Sequence, residues 1–234
     1  MRLRAIIFDV DGTLADTERT GHLPACNEAF AQLGFPIQWS WEEFKALLAV
    51  PGNARRMRMA LERLHPPMSP EAIESAVERL ITLKRRLYIE KYIPHVRLRP
   101  GVRELIREAV ERNVRLAIVS ISDEPQIEAL LRHHLPEFMD VFHPVLGKGA
   151  GLKTAPDSPL YRRCLEILGT DPETTLAIED SASGLRAARA AGIPCAVFYN
   201  DYTFGQNFAG AVLVARSLKY FNLDMLDQLC LGQG

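Results

Sequence analysis

A chain of 234 residues has room for one large domain, or for a core with a smaller insert. Its composition is 47% hydrophobic and 24% charged with a net charge of −1, which suits a globular protein and offers no basic field for nucleic acid. The longest apolar runs fall far short of a membrane span, and the chain enters its first strand with no signal peptide, so neither membrane nor export is expected. Cys26, Cys164, Cys195 and Cys230 are scattered, with no Cys-x-x-Cys pair. They read as buried or free thiols in a reducing compartment, and the expected location is cytoplasmic. No repeat or low-complexity segment is visible.

In chain order, residues 4–9 read as a buried strand. From about residue 19 to 96 the pattern is helical, with helices near Pro24–Gly34, Ser40–Val50 and Ala54–Leu64 and a last one from Ser69 to about Tyr92. Ser69 and Glu71–Glu74 suit the start of that last helix, and His65-Pro66-Pro67 breaks the pattern before it. Beyond Pro94–Gly101 the rhythm alternates: helix 101–112, strand 114–119, helix 124–134, strand 140–146, helix 158–169, strand 175–179, helix 182–191, strand 194–198 and a short strand near 211–214. Gly169 and Gly192 stand where helix C-caps are expected. Alternating units of this kind imply a parallel sheet with helices on both faces, and ligands in such sheets bind at the carboxyl ends of the strands. Asp9, Ser120 and the Glu179–Asp180 pair all fall at such ends. The fold class is therefore α/β. A Rossmann-like core of residues 1–16 and 97–234 is expected to carry an inserted all-helical cap domain, residues 17–96. Ala15–Glu18 and residues 94–100 would be the hinges.

The first strand runs into Asp9-Val10-Asp11-Gly12. Two acids this close at a strand end can bind Mg²⁺ and divide the roles of nucleophile and acid/base. The same residues also suit a plain strand followed by an Asx-type turn. An EF-hand loop counted from Asp9 needs Gly and Glu where the chain has Leu14 and Thr20, so calcium binding of that kind is excluded. Residues 9–18, Asp-Val-Asp-Gly-Thr-Leu-Ala-Asp-Thr-Glu, resemble the first signature of the haloacid-dehalogenase-like (HAD) superfamily, in its phosphatase and phosphomutase branch. The remaining signatures follow in order. Leu116-Ala117-Ile118-Val119-Ser120 is a strand ending in a hydroxyl that can donate to a phosphoryl oxygen, and Ser122 offers a second hydroxyl or an N-cap for the next helix. Lys153-Thr154-Ala155-Pro156-Asp157 supplies a Lys to neutralise the nucleophile and the phosphoryl group. Gly147 to Thr154 nearly spells a P-loop, but Leu152 stands where a Gly must precede the Lys. Ile178-Glu179-Asp180-Ser181 supplies an acidic pair that suits Mg²⁺, or the start of helix 182–191; Ser181 is expected to cap that helix.

The resemblance implies phosphoryl transfer through an aspartyl-phosphate. Asp9 would be the nucleophile and Asp11 the acid/base. Ser120, Ser122 and Lys153 would hold the phosphoryl group. Mg²⁺ would be bound by Asp9, the Asp11 carbonyl, Asp180 and Glu179, the last directly or through water. Asp11 argues against true dehalogenation, and nothing marks out a Schiff-base Lys for phosphonatase chemistry, though Lys45 lies in the cap. Thr17 to His22, Asn27-Glu28-Ala29-Phe30, Trp39-Ser40-Trp41, Phe44 to Leu48, Leu98-Arg99-Pro100-Gly101-Val102 and Tyr202-Thr203 are similar to the sugar-bisphosphate phosphatases of RuBisCO operons, the CbbY type, which act on xylulose 1,5-bisphosphate. That likeness assigns substrate contact to Glu18 and His22, although His22 equally suits a packing role. Its Gly-Gly-Lys-Glu-Arg loop matches Val50-Pro51-Gly52-Asn53-Ala54-Arg55, which makes Gly52, Asn53 and Arg55 substrate candidates. Asn53 cannot replace the Lys as a point charge, so either Arg55 holds a second phosphate or the substrate carries only one. Ile121 is also bulkier than the residue expected between the two hydroxyls. The expectation is a Mg²⁺-dependent monomeric phosphatase of a small sugar phosphate or bisphosphate, without nucleic-acid or membrane partners. The alternatives are a β-phosphoglucomutase-like phosphotransferase and a catalytically silent scaffold.

Overall fold

The computed structural model describes residues 2–50, 52–154 and 157–231. Pro51 of the cap loop and Ala155-Pro156 of the third signature lie outside them, as do the side chains of Cys230 and Leu231. In chain order the elements are β1 (Ala5–Phe8), α1 (Leu23–Gln32), α2 (Trp41–Leu47), α3 (Asn53–Leu61), α4 (Pro70–Leu87), α5 (Val102–Glu111), β2 (Arg115–Val119), α6 (Glu124–His134), β3 (Phe142–Leu146), α7 (Pro159–Leu168), β4 (Thr175–Glu179), α8 (Ala182–Ala190), β5 (Cys195–Phe198), β6 (Leu213–Ala215) and α9 (Leu223–Leu231). The chain divides into two compact units, Met1–Asp16 with Arg97–Gly234, and Thr17–Val96. Among the described residues no helix is long and apolar enough to cross a membrane.

The first unit is built on a six-stranded sheet in the order β3-β2-β1-β4-β5-β6, every neighbour parallel. Ala5, Ile6, Ile7 and Phe8 are wholly buried, which is why β1 reads as an unbroken apolar run: helices cover both faces of a parallel sheet. Ile7 packs with Ala117 and Val119 of β2, Ala177 of β4 and Leu160 and Tyr161 of α7. Each such aliphatic side chain contributes about 1.5–3 kcal/mol on burial. Phe8 pairs with Ile118 on one side and Ile178 on the other. That register brings Asp9 level with Val119 and Glu179, one residue short of Ser120 and Asp180. Pro144 is tolerated in β3 because β3 is an edge strand.

The second unit is helical, and none of its described residues lies in a strand. Phe30, Phe44, Met57, Leu61 and Leu80 form its buried interior, with Trp39 edge-on to Phe30 at 5.0 Å. Ser40 and Glu43 form a full capping box at α2, and Ser69 caps α4 by accepting the Ala72 N–H at 3.2 Å.

Several boundaries differ from the sequence reading. The helix expected to reach Tyr92 ends at Leu87 and continues as a π-turn over Tyr88–Tyr92. Pro94 has no N–H to give to a carbonyl one turn back, so the regular ladder cannot run on. The strand expected at 140–146 starts only at Phe142, because Pro136–Val141 forms 3₁₀ turns. The π-turn Glu18–His22 and helix α9 were not foreseen. Helix α9 is docked by buried Leu223 and Leu226 and by the Asp227 carboxylate, which accepts the N–H groups of Arg2 (2.8 Å) and Leu3 (2.5 Å).

Candidate active site

The carboxyl ends of β1, β2 and β4 converge on a buried cluster in the sheet unit. Asp9 continues β1, its N–H donating to the Ile178 carbonyl at 3.0 Å. Gly12 then turns the chain with φ +79°; a Cβ there would lie 2.1 Å from the Tyr202 hydroxyl and 2.4 Å from Asp180 Oδ2. Only glycine lets that loop pass. Lys153 Nζ donates to Asp9 Oδ1 at 2.6 Å and lies 2.7 Å from Glu179 Oε1. Thr13 Oγ1 donates to Asp9 Oδ2 at 3.1 Å. Asp9, Glu179 and Asp180 each offer a carboxylate oxygen within 4.8 Å of the others. Ser120, fully buried, follows β2 and accepts the Ser122 N–H at 3.2 Å. The Ser122 hydroxyl donates to Asp11 Oδ2.

That contact corrects one expectation. Ser122 does not cap α6; Asp123 holds the N-cap position, with no capping bond from its side chain. Ser181 does cap α8, accepting the Gly184 N–H at 3.2 Å. Gly184 is required here, since a Cβ would sit 1.9 Å from Glu179 Oε2. The near-P-loop is closed to phosphate for a physical reason. The Glu124 carboxylate already accepts the N–H groups of Gly147, Gly149 and Ala150, at 3.2, 3.3 and 3.1 Å.

The electrostatics follow from burial. Desolvation pushes the Asp9 carboxyl up, against the pull of the Lys153 ammonium. It raises Asp180 well above the usual carboxylate range, with Asp9 and Glu179 adding to the effect. Glu179 is pushed up by burial to about 7, again against Lys153. Burial works against the Lys153 charge as well, but the Asp9 and Glu179 carboxylates prevail and hold it above its ordinary value. Three carboxylates thus share one ammonium in a desolvated space. Hard oxygen donors with an excess of negative charge suit a divalent cation of the Mg²⁺ type, so the residues present fit a metal.

Three supporting residues carried no mark as site residues in the sequence. Tyr161 of α7 donates its hydroxyl to Glu179 Oε1. Asn200 Nδ2 donates to Asp180 Oδ2 at 2.8 Å. Arg99, buried just after residues 97–98 return to the sheet unit, donates to the carbonyls of Gly12, Phe198, Tyr199 and Arg216. A planar fork of five donors makes such a clamp possible.

The remaining candidates belong to the helical unit. Glu18 and His22 stand on its π-turn. His22 is buried and stacked on Tyr88 at 4.1 Å, with Nδ1 2.8 Å from Nζ of the buried Lys84. A charged Lys84 has only donors to offer, so Nδ1 accepts. Gly52 takes φ +82° at the N-cap of α3, Asn53 begins that helix, and Arg55 is exposed. The buried arginine of the loop is its neighbour, Arg56. Its Nε donates to the Val50 carbonyl at 2.8 Å, its Nη1 to Asn53 Oδ1 at 3.3 Å, and its guanidinium lies 5.8 Å from the Phe44 ring centre.

Similarity to known proteins extends over most of the chain. The family described as "Hydrolase: haloacid dehalogenase-like hydrolase" matches residues 3–192. Protein CbbY of Cupriavidus necator is 38% identical over 215 residues, covering 91% of this chain and 84% of that protein. Protein CbbY of Rhodobacter capsulatus is 38% identical over 215 residues, covering 90% and 92%. A crystal structure of a CbbY mutant from Rhodobacter sphaeroides in complex with xylulose 1,5-bisphosphate superposes with a TM-score of 0.82 at 34% identity, covering 96% of this chain and 99% of that one. With the parallel sheet, the buried Asp9–Lys153 pair and the acidic cluster at the same strand ends, these matches show that the chain belongs to the haloacid dehalogenase-like hydrolases, among that family's phosphatases.

Proposed function

We propose that the protein is a Mg²⁺-dependent phosphatase of a small sugar phosphate or bisphosphate, with xylulose 1,5-bisphosphate as the leading substrate. The observation that carries this is the buried Asp9, held at 2.6 Å by Lys153 and flanked by Asp180 and Glu179. The crystal structure of the related CbbY mutant with xylulose 1,5-bisphosphate supports the choice of substrate.

Asp9 attacks phosphorus: an Asp9 O–P bond forms as the P–O bond to the sugar breaks. Asp11 gives its proton to the departing sugar oxygen. Asp11 then takes a proton from water as the water oxygen bonds to phosphorus and the Asp9 O–P bond breaks. Lys153 favours the ionised form of Asp9 against its burial, and its ammonium together with Ser120 offsets charge on the phosphoryl oxygens. Ser122, bonded to Asp11, orients the acid/base carboxyl. Mg²⁺ held by Asp9, the Asp11 carbonyl, Asp180 and Glu179 would neutralise phosphoryl charge. The helical unit would act as a cap that selects the substrate through Glu18, His22, Gly52, Asn53 and Arg55.

Phosphate release measured across a panel of sugar phosphates, with and without Mg²⁺, tests this reading. Xylulose 1,5-bisphosphate should be turned over fastest, and only with Mg²⁺. Asp9→Asn should lower turnover by about a thousand-fold or more. Retained turnover in that variant removes Asp9 as nucleophile. Preference for a monophosphate removes the bisphosphate assignment and leaves the reaction class standing.

A further inference from the structure

Asn200 lies two residues beyond β5, on a loop whose backbone makes a tight turn over residues 200–203. The Asn200 Oδ1 atom accepts from the N–H of Tyr202 (3.2 Å), the N–H of Thr203 (3.1 Å) and the Thr203 hydroxyl (3.1 Å). The Thr203 hydroxyl in turn accepts the Asn200 N–H at 3.0 Å. Backbone N–H groups can only donate, so the amide oxygen must face the turn. This settles the orientation of the amide, which side-chain shape alone leaves ambiguous. The amide nitrogen is therefore aimed the other way. It donates to Asp180 Oδ2 at 2.8 Å and reaches the Gly12 carbonyl at 3.5 Å.

Asp180 belongs to the buried acidic group of the site. A carboxylate with two equivalent oxygens can rotate about its last bond. A rigid donor on one oxygen fixes that rotation and leaves the other oxygen as the ligand. Carboxylates that bind metal are commonly held in this way by a partner behind them. The Gly12 contact links the same amide to the loop that follows Asp11.

We propose that Asn200 is a positioning residue for the metal: its amide nitrogen holds Asp180 Oδ2, so that the other carboxylate oxygen is presented to the divalent cation. This rests on the metal-dependent reading above. It assigns Asn200 a role through Asp180, not through contact with the substrate.

Direct titration of the full-length protein with Mg²⁺ by calorimetry, in the absence of substrate, tests it. Asn200→Ser keeps a hydroxyl oxygen for the turn but is too short to reach Asp180. Asn200→Ala removes both contacts. The expected result is Mg²⁺ affinity weakened about ten- to hundred-fold in Asn200→Ser, with its metal-free unfolding midpoint close to wild type. In turnover assays the Mg²⁺ concentration for half-maximal rate should rise, and the rate at saturating Mg²⁺ should be largely recovered. If Asn200→Ser binds Mg²⁺ within about two-fold of wild type while Asn200→Ala is merely less stable, Asn200 is a turn residue and the proposal falls. Should Asn200→Ala fail to fold, Asn200→Ser alone decides. A wild-type protein that shows no Mg²⁺ binding overturns the metal reading itself, and this proposal with it.

Discussion

The sheet unit and the helical unit both bury charge, and they surround it differently. In the sheet unit Lys153 is matched against Asp9 and Glu179, with Asp180 beside them, so opposite charges meet directly and a negative excess remains. In the helical unit two buried cations also lie against rings and backbone. Arg56 lies over Phe44 and donates to the Val50 carbonyl, and Lys84 lies over Tyr88 beside His22. The Glu18 carboxylate also acts on Arg56, so rings and carbonyls here add to charge pairing and do not replace it. The sheet unit, with three carboxylates to one ammonium, is thus the one poised to take up a cation.

Breaking the sheet unit's balance should have the largest effect. Lys153→Met leaves Asp9 and Glu179 buried with no ammonium between them, and the loss of phosphoryl neutralisation should lower kcat by about 10²–10³-fold. Steady-state kinetics at saturating Mg²⁺ checks this; a change confined to KM would contradict the role given to Lys153.

The negative excess also makes a pH prediction for the metal-free protein. Folded Glu179 keeps its proton to about pH 7, whereas its ordinary value is 4.5. Between these two values the folded state binds more protons than the unfolded state, so stability falls as pH rises. Asp180, also raised by burial, acts in the same direction. The unfolding midpoint in chelator should therefore decline from about pH 5 to pH 7. Adding Mg²⁺ should flatten the decline, because the cation favours the ionised carboxylates. A midpoint that rises over this window in chelator would show that these carboxylates are already ionised at its lower end.

The helical unit should yield less. Arg56→Ala releases the loop around Asn53 by removing two hydrogen bonds and the packing on Phe44. The expected cost is about 1–2 kcal/mol of stability, with KM raised more than kcat is lowered. Thermal unfolding and steady-state kinetics together check it. An unchanged KM would show that the loop does not hold substrate.

The strands and the chemistry-bearing ends were legible because each lies within a few consecutive residues. Ala5–Phe8 announces a strand covered on both faces by being apolar throughout. The acids at 9, 11, 179 and 180 and the Lys at 153 stand at turns that local pattern predicts. Helix α9 was legible in principle: Asn222 accepts the Met225 N–H at 2.9 Å, an N-cap signal ahead of an apolar pattern that begins at Leu223. Tyr161, Arg99 and Asn200 were not legible as site residues. Each acts on a group 18, 87 and 20 residues away, and their types occur everywhere on ordinary surfaces.

The sequence by itself determined the alternation of strands and helices and the insertion after the first strand, and it supplied the candidate groups for the chemistry. Periodicity and turn residues are local properties, and the signatures are short. Only the tertiary structure decided which groups meet. It placed Ser122 on Asp11 instead of on a helix end, filled the near-P-loop with the Glu124 carboxylate, buried Arg56 while leaving Arg55 exposed, and set Asn200 behind Asp180. Those outcomes depend on the parallel register of β1 with β2 and β4 and on the paths of the loops that follow the strands, and a hydrogen bond across that distance leaves no trace in the spacing of neighbouring residues.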